Sequence, residues 1–121
     1  MMNEHVTLVR HNGALKRVYG RLGEMQERYR RLGSLDGGGW ANASLLFANQ
    51  LGNMLELGQV VTLGALQRDE SRGAHYKPDF PTRDDDKWLK TTVAAWSPDG
   101  PALTYEDVDV SLVKPVARKY D

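Results

Sequence analysis

The chain contains no cysteine, and that absence alone removes disulfide frameworks, thiolate nucleophiles and cysteine-held zinc or iron–sulfur sites. Its histidines, His5, His11 and His75, are widely spaced and do not by themselves compose a three-histidine metal site. Net charge is missing too. Lys and Arg number 16 against 16 Asp and Glu, so no global field draws the chain to nucleic acid or an anionic membrane. No unbroken apolar run approaches the ~20 residues of a bilayer crossing, which excludes direct membrane insertion. Met1-Met2-Asn3-Glu4 lacks the basic start and apolar stretch of a signal peptide, and a cytoplasmic-side location is the expectation. No period of ~20 to 50 residues repeats, so a solenoid is excluded. What remains is 121 residues, 40% hydrophobic and 26% charged, which fits one folded domain and leaves little room for a second.

The pattern predicts helical segments over 2–33. Leu15, Leu22, Tyr29 and Val18, Met25, Leu32 form two interleaved rows of seven-residue spacing, one packed seam of a long amphipathic helix. Asn12-Gly13 interrupts the pattern before it, making Asn3 to Arg10 a short separate helical piece. Gly33-Ser34 and Gly37-Gly38-Gly39 supply the stop. Over 41–70 the pattern predicts a central buried helix, because Glu56 is the single charge between Asn42 and Gln67. Gly52, Gly58 and Gly64 recur in it, each costing ~1 kcal/mol against Ala in a helix interior. Close approach of another backbone is the expected compensation.

A polar turn and short helix are predicted over 71–87, with Thr82 as N-cap ahead of Asp84-Asp85-Asp86. A β-hairpin over 88–110 follows from alternation on either side of Ser97-Pro98-Asp99-Gly100-Pro101. The apolar parity shifts between Tyr105 and Val108, which implies a bulge or a short second strand. Residues 111–121, containing Pro115, read as an extended tail. The fold class is therefore mainly α: a three-helix bundle, spectrin-repeat-like, with an appended C-terminal β-hairpin.

Several constellations carry possible chemistry. Seven Lys and Arg lie between Arg10 and Arg31 against two Glu, but no aromatics interleave for base stacking, so a solvated or protein-docking face is favoured over nucleic acid. Asp84-Asp85-Asp86 lacks the alternating ligands and glycine of a calcium loop and reads as N-terminal helix charge. Gly37-Gly38-Gly39 follows a helix and lacks the Lys-Ser/Thr ending of a phosphate loop. Asp69, Ser71 and His75 have the residue types of a hydrolytic triad without a nucleophile elbow. His75 beside Pro78 reads better as a hydrogen-bonding structural residue. The richest stretch is Arg68 to Thr92. Arg72, Arg83, Asp69, Glu70 and the Asp run can form bidentate ion pairs around Tyr76, Phe80 and Trp88, and a polar network against a partner surface explains that mixture. Truncating Arg72 would then weaken docking by more than ~1 kcal/mol.

Arg68-x-Glu70-Ser71-Arg72-Gly73-Ala74-His75-x-x-x-Asp79-Phe80-Pro81-x-Arg83-Asp84-Asp85-x-x-Trp88-Leu89-Lys90-Thr91-Thr92 resembles the C-terminal region of succinate dehydrogenase and fumarate reductase flavoprotein subunits. Glu27-Arg28-Tyr29 near the end of the first long helix and Pro115, Arg118 and Tyr120 in the tail resemble the family as well. The family motif marks Arg68, Glu70, Ser71, Arg72, His75, Phe80, Arg83, Asp84, Asp85 and Trp88 as interface candidates. Thr91 departs from the His that many relatives carry and receives no role. L-Aspartate oxidase has a similar turn, but Ala74, Phe80 and the Arg-Asp-Asp-x-x-Trp-Leu-Lys-Thr continuation favour the dehydrogenase.

The resemblance implies a parent subunit that oxidises succinate to fumarate and passes electrons through FAD to an iron–sulfur subunit and quinone. It implies as partners the N-terminal flavin domain of the same subunit, the iron–sulfur subunit and the membrane anchor, with the whole peripheral on the cytoplasmic side. No Gly-x-Gly-x-x-Gly and no flavin-attachment histidine segment occur in this sequence. The chain is then expected to hold no catalytic, flavin-binding or metal residue and to be inactive alone. A free-standing helical adaptor for an acidic partner, the equivalent domain of L-aspartate oxidase, and a small hydrolase using Ser71 and His75 stand as alternatives.

Overall fold

The computed structural model of the chain describes residues 1–33 and 42–116. The glycine run at 37–39 and the tail residues Arg118 and Tyr120 lie outside them. The element order is α1 (Met2–His5), α2 (Asn12–Tyr29), α3 (Ala43–Gln67), α4 (Asp85–Trp88), β1 (Lys90–Ala95) and β2 (Ala102–Asp107).

The packed seam of α2 is the one that its periodicity predicts: Leu15, Val18 and Leu22 are buried, with Met25 and Tyr29 half-buried against the same core. Leu32 lies beyond the helix end and is exposed. Asn12 and Gly13 do not interrupt this helix; they form its first turn, after His11 in extended geometry. Helix α3 is capped by the Asn42 side chain, which accepts a hydrogen bond from the Leu45 N–H at 2.9 Å. It runs antiparallel to α2, with position 52 beside Tyr29 and position 58 beside Leu22. Leu55, Gly58, Gln59, Thr62 and Ala65 form its buried row, and the Thr62 hydroxyl donates to the Gly58 carbonyl at 2.7 Å.

Two expectations about α3 need correction. It is not buried on most sides: Leu45, Leu46, Phe47, Leu51, Met54, Leu57 and Val61 are exposed. And its glycines are not met by another backbone. A Cβ at Gly52 would stand 2.6 Å from the Tyr29 hydroxyl, one at Gly58 3.4 Å from Leu22, and one at Gly64 would meet nothing within 4 Å. The Tyr29 side chain therefore explains Gly52; a Cβ at Gly58 would make only ordinary contact with Leu22, and nothing in the structure explains Gly58 or Gly64.

Only two long helices stand among the described residues, where the sequence predicted a three-helix bundle. The short elements α1 and α4 have 4 residues each, about one turn apiece, and cannot supply a third bundle member. The N-cap of α4 is Asp84, whose carboxylate accepts from the Lys87 N–H at 3.0 Å, and Thr82 is not the cap. The hairpin pairs in unbroken antiparallel register from Lys90↔Asp107 to Ala95↔Ala102. There is no bulge in it: β2 ends at Asp107, so the shifted parity of Val108 falls after the ladder. Among the described residues, no helix is long and apolar enough to cross a membrane.

Candidate functional site

Between the end of α3 and the start of β1 the chain runs through turns and the short helix α4, and a polar knot holds them together. Glu70 is its centre. Its side chain is fully buried, a placement that a carboxylate sustains only when its acceptor sites are filled. Oε1 accepts from Arg68 Nη1 at 2.7 Å and Arg72 Nε at 2.9 Å. Oε2 accepts from Arg72 Nη2 at 3.0 Å and the Asp84 N–H at 3.0 Å. Burial pushes the carboxyl upward, but the hydrogen bonds from Arg72, Asp84 and Arg68 outweigh it, and the group is held below the ordinary glutamate value.

Each arginine around Glu70 reaches a different element. Arg68, at the end of α3, donates to the carbonyls of Trp88 at 2.8 Å and Lys90 at 2.6 Å and to the Thr92 hydroxyl at 3.2 Å. Its guanidinium also lies 5.2 Å from the Trp88 ring centre. Arg72 bridges from Glu70 to Asp85 at 2.7 Å. Arg83 forms a two-pronged pair with Asp85 and donates Nη1 to the Val116 carbonyl at 2.9 Å, tying the tail to the knot. With two guanidiniums on it, Arg83 first and Arg72 next, Asp85 is held well below the carboxylate range. Trp88 is buried, with its ring edge-on to Tyr105 at 5.5 Å and 70°.

The turn at 71–80 is built around a second set of bonds. Gly73 sits at φ 58°, the left-handed region that glycine occupies at least cost, and this lets Arg72 and His75 exchange backbone hydrogen bonds at 2.8 and 3.0 Å. The Ser71 hydroxyl accepts from the Lys77 N–H at 2.9 Å and donates to the Phe80 carbonyl at 2.7 Å. His75 Nε2 lies 3.0 Å from the Arg68 carbonyl, and Nδ1 contacts Arg10 Nη1. A guanidinium can only donate and a carbonyl can only accept, so the imidazole is neutral with its proton on Nε2. Burial first, and then the charges of Arg10, Lys77 and Arg68, lower its pKa despite the Arg68 carbonyl.

Lys77 is fully buried. Its ammonium donates to the Leu66 carbonyl at 3.0 Å and to Asp69 at 2.9 Å, and lies 5.8 Å from the Phe80 ring centre. Burial pushes the ammonium down while Asp69 opposes it. Asp69 in turn accepts from the Asn12 side chain at 3.1 Å, which joins the turn to the start of α2.

The ten sequence candidates thus fall into one region. Arg68, Glu70, Arg72, Arg83, Asp84, Asp85 and Trp88 share the Glu70 network, while Ser71, His75 and Phe80 organise the adjoining turn. Asp69, Ser71 and His75 do not form a triad. The hydroxyl is committed to Lys77 and Phe80, the imidazole to Arg10 and Arg68, and the carboxylate to Lys77 and Asn12. Arg72 bonds Glu70 and Asp85 of this chain, and its side chain and that of Asp85 keep 27% and 38% of their surface exposed. Sequence reasoning missed Lys77, Arg10 and Asn12. An isolated Lys before a proline carries no signal of burial, and Arg10 and Asn12 lie about sixty residues from their partners.

Among the described residues there is no group of acidic, His or Cys side chains that could hold a metal ion. The sheet among the described residues is a two-stranded antiparallel hairpin, and Asn42 caps the first turn of α3, so neither forms the strand–turn–helix cradle of free N–H groups that a dinucleotide pyrophosphate takes.

Comparison with known proteins points in one direction. The family model "Fumarate reductase flavoprotein C-term" matches residues 1–120. The chain is 49% identical over 121 residues to the succinate dehydrogenase flavoprotein subunit of Bacillus subtilis, covering 98% of this chain and 21% of that protein. It is 31% identical to the fumarate reductase flavoprotein subunit of Haemophilus influenzae, covering 99% and 20%. Among solved structures, a chain of Escherichia coli quinol fumarate reductase superposes with a TM-score of 0.90 at 32% identity, over 96% of this chain and 20% of that one. The chain therefore spans about a fifth of the length of the curated relatives it matches.

Proposed function

The chain belongs to the fumarate reductase flavoprotein C-terminal family, and from that premise we propose that it is the C-terminal structural domain of a succinate dehydrogenase flavoprotein subunit. In this reading the parent subunit oxidises succinate to fumarate and delivers electrons through FAD to an iron–sulfur subunit and a membrane-anchored quinone site. The flavin and the dicarboxylate pocket belong to the remaining four-fifths of such a subunit. This domain supplies shape and docking surface, and no catalytic, flavin-binding or metal residue. The greater identity to the Bacillus subtilis succinate dehydrogenase subunit supports that enzyme over a fumarate reductase.

The carrying observation is the commitment of the knot. Three groups of the kinds that act as acids, bases or nucleophiles are held in internal bonds: Glu70 takes four donors, Ser71 is shared by Lys77 and Phe80, and His75 is neutral between Arg10 and Arg68. A site built to transfer protons to a substrate would leave one such group facing an open pocket. Instead, these bonds fix α3, α4, β1 and the tail as one unit.

The test is to incubate the purified 121-residue chain with FAD and succinate and follow an electron-accepting dye. The expected outcome is no retained flavin and no succinate-dependent reduction. Retained flavin together with dye reduction would overturn the reading.

A further inference from the structure

Between the paired helices and the turn end of the hairpin lies a cavity of about 530 Å³, within the range of ~300 to 1,000 Å³ that small-molecule sites occupy. Helices α2 and α3 form one wall, and residues from Ala94 to Pro101 form the other. Two contacts hold the hairpin against the helices. The Tyr105 hydroxyl donates to Gln67 Oε1 at 3.2 Å, and a Cβ at Gly100 would stand 3.4 Å from the Tyr19 hydroxyl.

The lining carries three groups that the fold itself leaves unused. Gln59 is 7% exposed, yet its side-chain amide has no hydrogen-bond partner among the described residues. A buried amide left in that condition costs free energy unless something within the cavity pairs with it. Glu56 is the one charged residue of α3, and its carboxylate likewise has no hydrogen bond or ion pair among the described residues. Trp96 lines the opposite wall with its side chain in the open, 74% exposed. Arg30 also lines the cavity, but its guanidinium is taken up by Glu27 at 2.6 Å. The charge left free to act on an occupant is therefore negative.

These groups select one chemistry. A free carboxylate attracts a cation, an indole face attracts a cation through its ring electrons, and an amide carbonyl accepts an N–H. Leu57, Val60, Pro98 and Pro101 add apolar surface for a hydrocarbon body. Nucleotides and dicarboxylates are disfavoured, because their charge would meet an unpaired carboxylate. We infer that this cavity binds a primary organic amine, with the ammonium held by Glu56 and Gln59 and the apolar body against Trp96 and Val60. Every group invoked belongs to this chain, so the site stands independently of the flavin chemistry assigned to the parent subunit.

The experiment is isothermal titration calorimetry on the full-length product of the gene. Phenethylamine is the probe, and phenethyl alcohol is its uncharged counterpart. The amine should bind at least about tenfold more tightly than the alcohol, the scale of one hydrogen bond to a charged group. Glu56→Gln should abolish that preference and leave the affinity for the alcohol unchanged. Trp96→Ala should weaken both ligands. Neither side chain makes a bond within the fold among the described residues, so both variants should fold. Absence of amine binding, equal affinity for amine and alcohol, a preference that survives Glu56→Gln, or affinities unchanged in Trp96→Ala would each overturn the inference.

Discussion

The paired helices and the polar knot hold themselves together by opposite means. Helices α2 and α3 meet through Leu15, Val18, Leu22, Leu55 and Ala65, contacts without direction that tolerate adjustment of shape. The knot contains few such contacts and depends on Glu70, where four donors converge on two oxygens from 2.7 to 3.0 Å. The difference lies in how each fails. An apolar seam loses stability in proportion to the atoms removed, whereas a buried charge network loses most of its stability when one member is removed, because the remaining charges stay buried without partners.

Substitutions can break that contrast, beginning with the largest effect. Glu70→Ala should destabilise the chain by about 3 to 5 kcal/mol in urea unfolding, with the Trp88–Tyr105 packing lost. A cost under about 1 kcal/mol would show that the arginines find water instead and that the knot is not cooperative. Leu15→Ala, at a fully buried seam position, should cost about 2 to 5 kcal/mol. It should lower the midpoint while leaving the environment of Trp88, at the end of α4, native just below the transition.

The glycines of α3 sharpen the comparison within one helix. Gly52→Ala should cost about 1 to 3 kcal/mol, since its Cβ would stand 2.6 Å from the Tyr29 hydroxyl. Gly64→Ala meets nothing and should gain up to about 1 kcal/mol. Equal effects at the two sites would remove the side-chain explanation for Gly52.

The pH dependence should come from the knot. His75 has its folded pKa lowered, so the unfolded chain binds the proton more readily. Its contribution is complete above the ordinary histidine value of about 6.5 and is lost as pH falls through that value toward the folded one. Glu70 is also lowered, so its contribution is complete above the ordinary glutamate value of about 4.3 and is lost as pH falls from there through the lower folded value. Melting temperature should therefore fall in two stages on acidification, and His75→Gln should remove the first. The smallest effect is expected for Arg83→Ala. Freeing the Val116 carbonyl should increase motion over 111–116 in NMR relaxation and leave the unfolding midpoint nearly unchanged.

Much of the helical pair was legible because helical burial is periodic. The rows through Leu15 and Val18 identify the face of α2 that packs, and the near absence of charge from Asn42 to Gln67 identifies α3 as a helix that needs covering. The number of helices was not legible, because composition states how much surface must be buried and not what buries it. In the knot, the residue types pointed to bidentate ion pairs, and the structure contains them. The partner choices were not legible. Asp85 could have capped α4, but Asp84 does so, and Asp85 is held between Arg72 and Arg83.

Sequence alone determined the packed seam of α2, the hairpin around Ser97-Pro98-Asp99-Gly100-Pro101, and the membership that the Arg68–Thr92 motif announced. Those features depend on neighbours within a few residues, or on a linear pattern that relatives share. Only the tertiary structure decided that Lys77 is a buried cation, that His75 is neutral against Arg10, and that one face of α3 stands uncovered. Each of those depends on groups far apart in sequence arriving at one place, and burial and charge pairing act through distance in space.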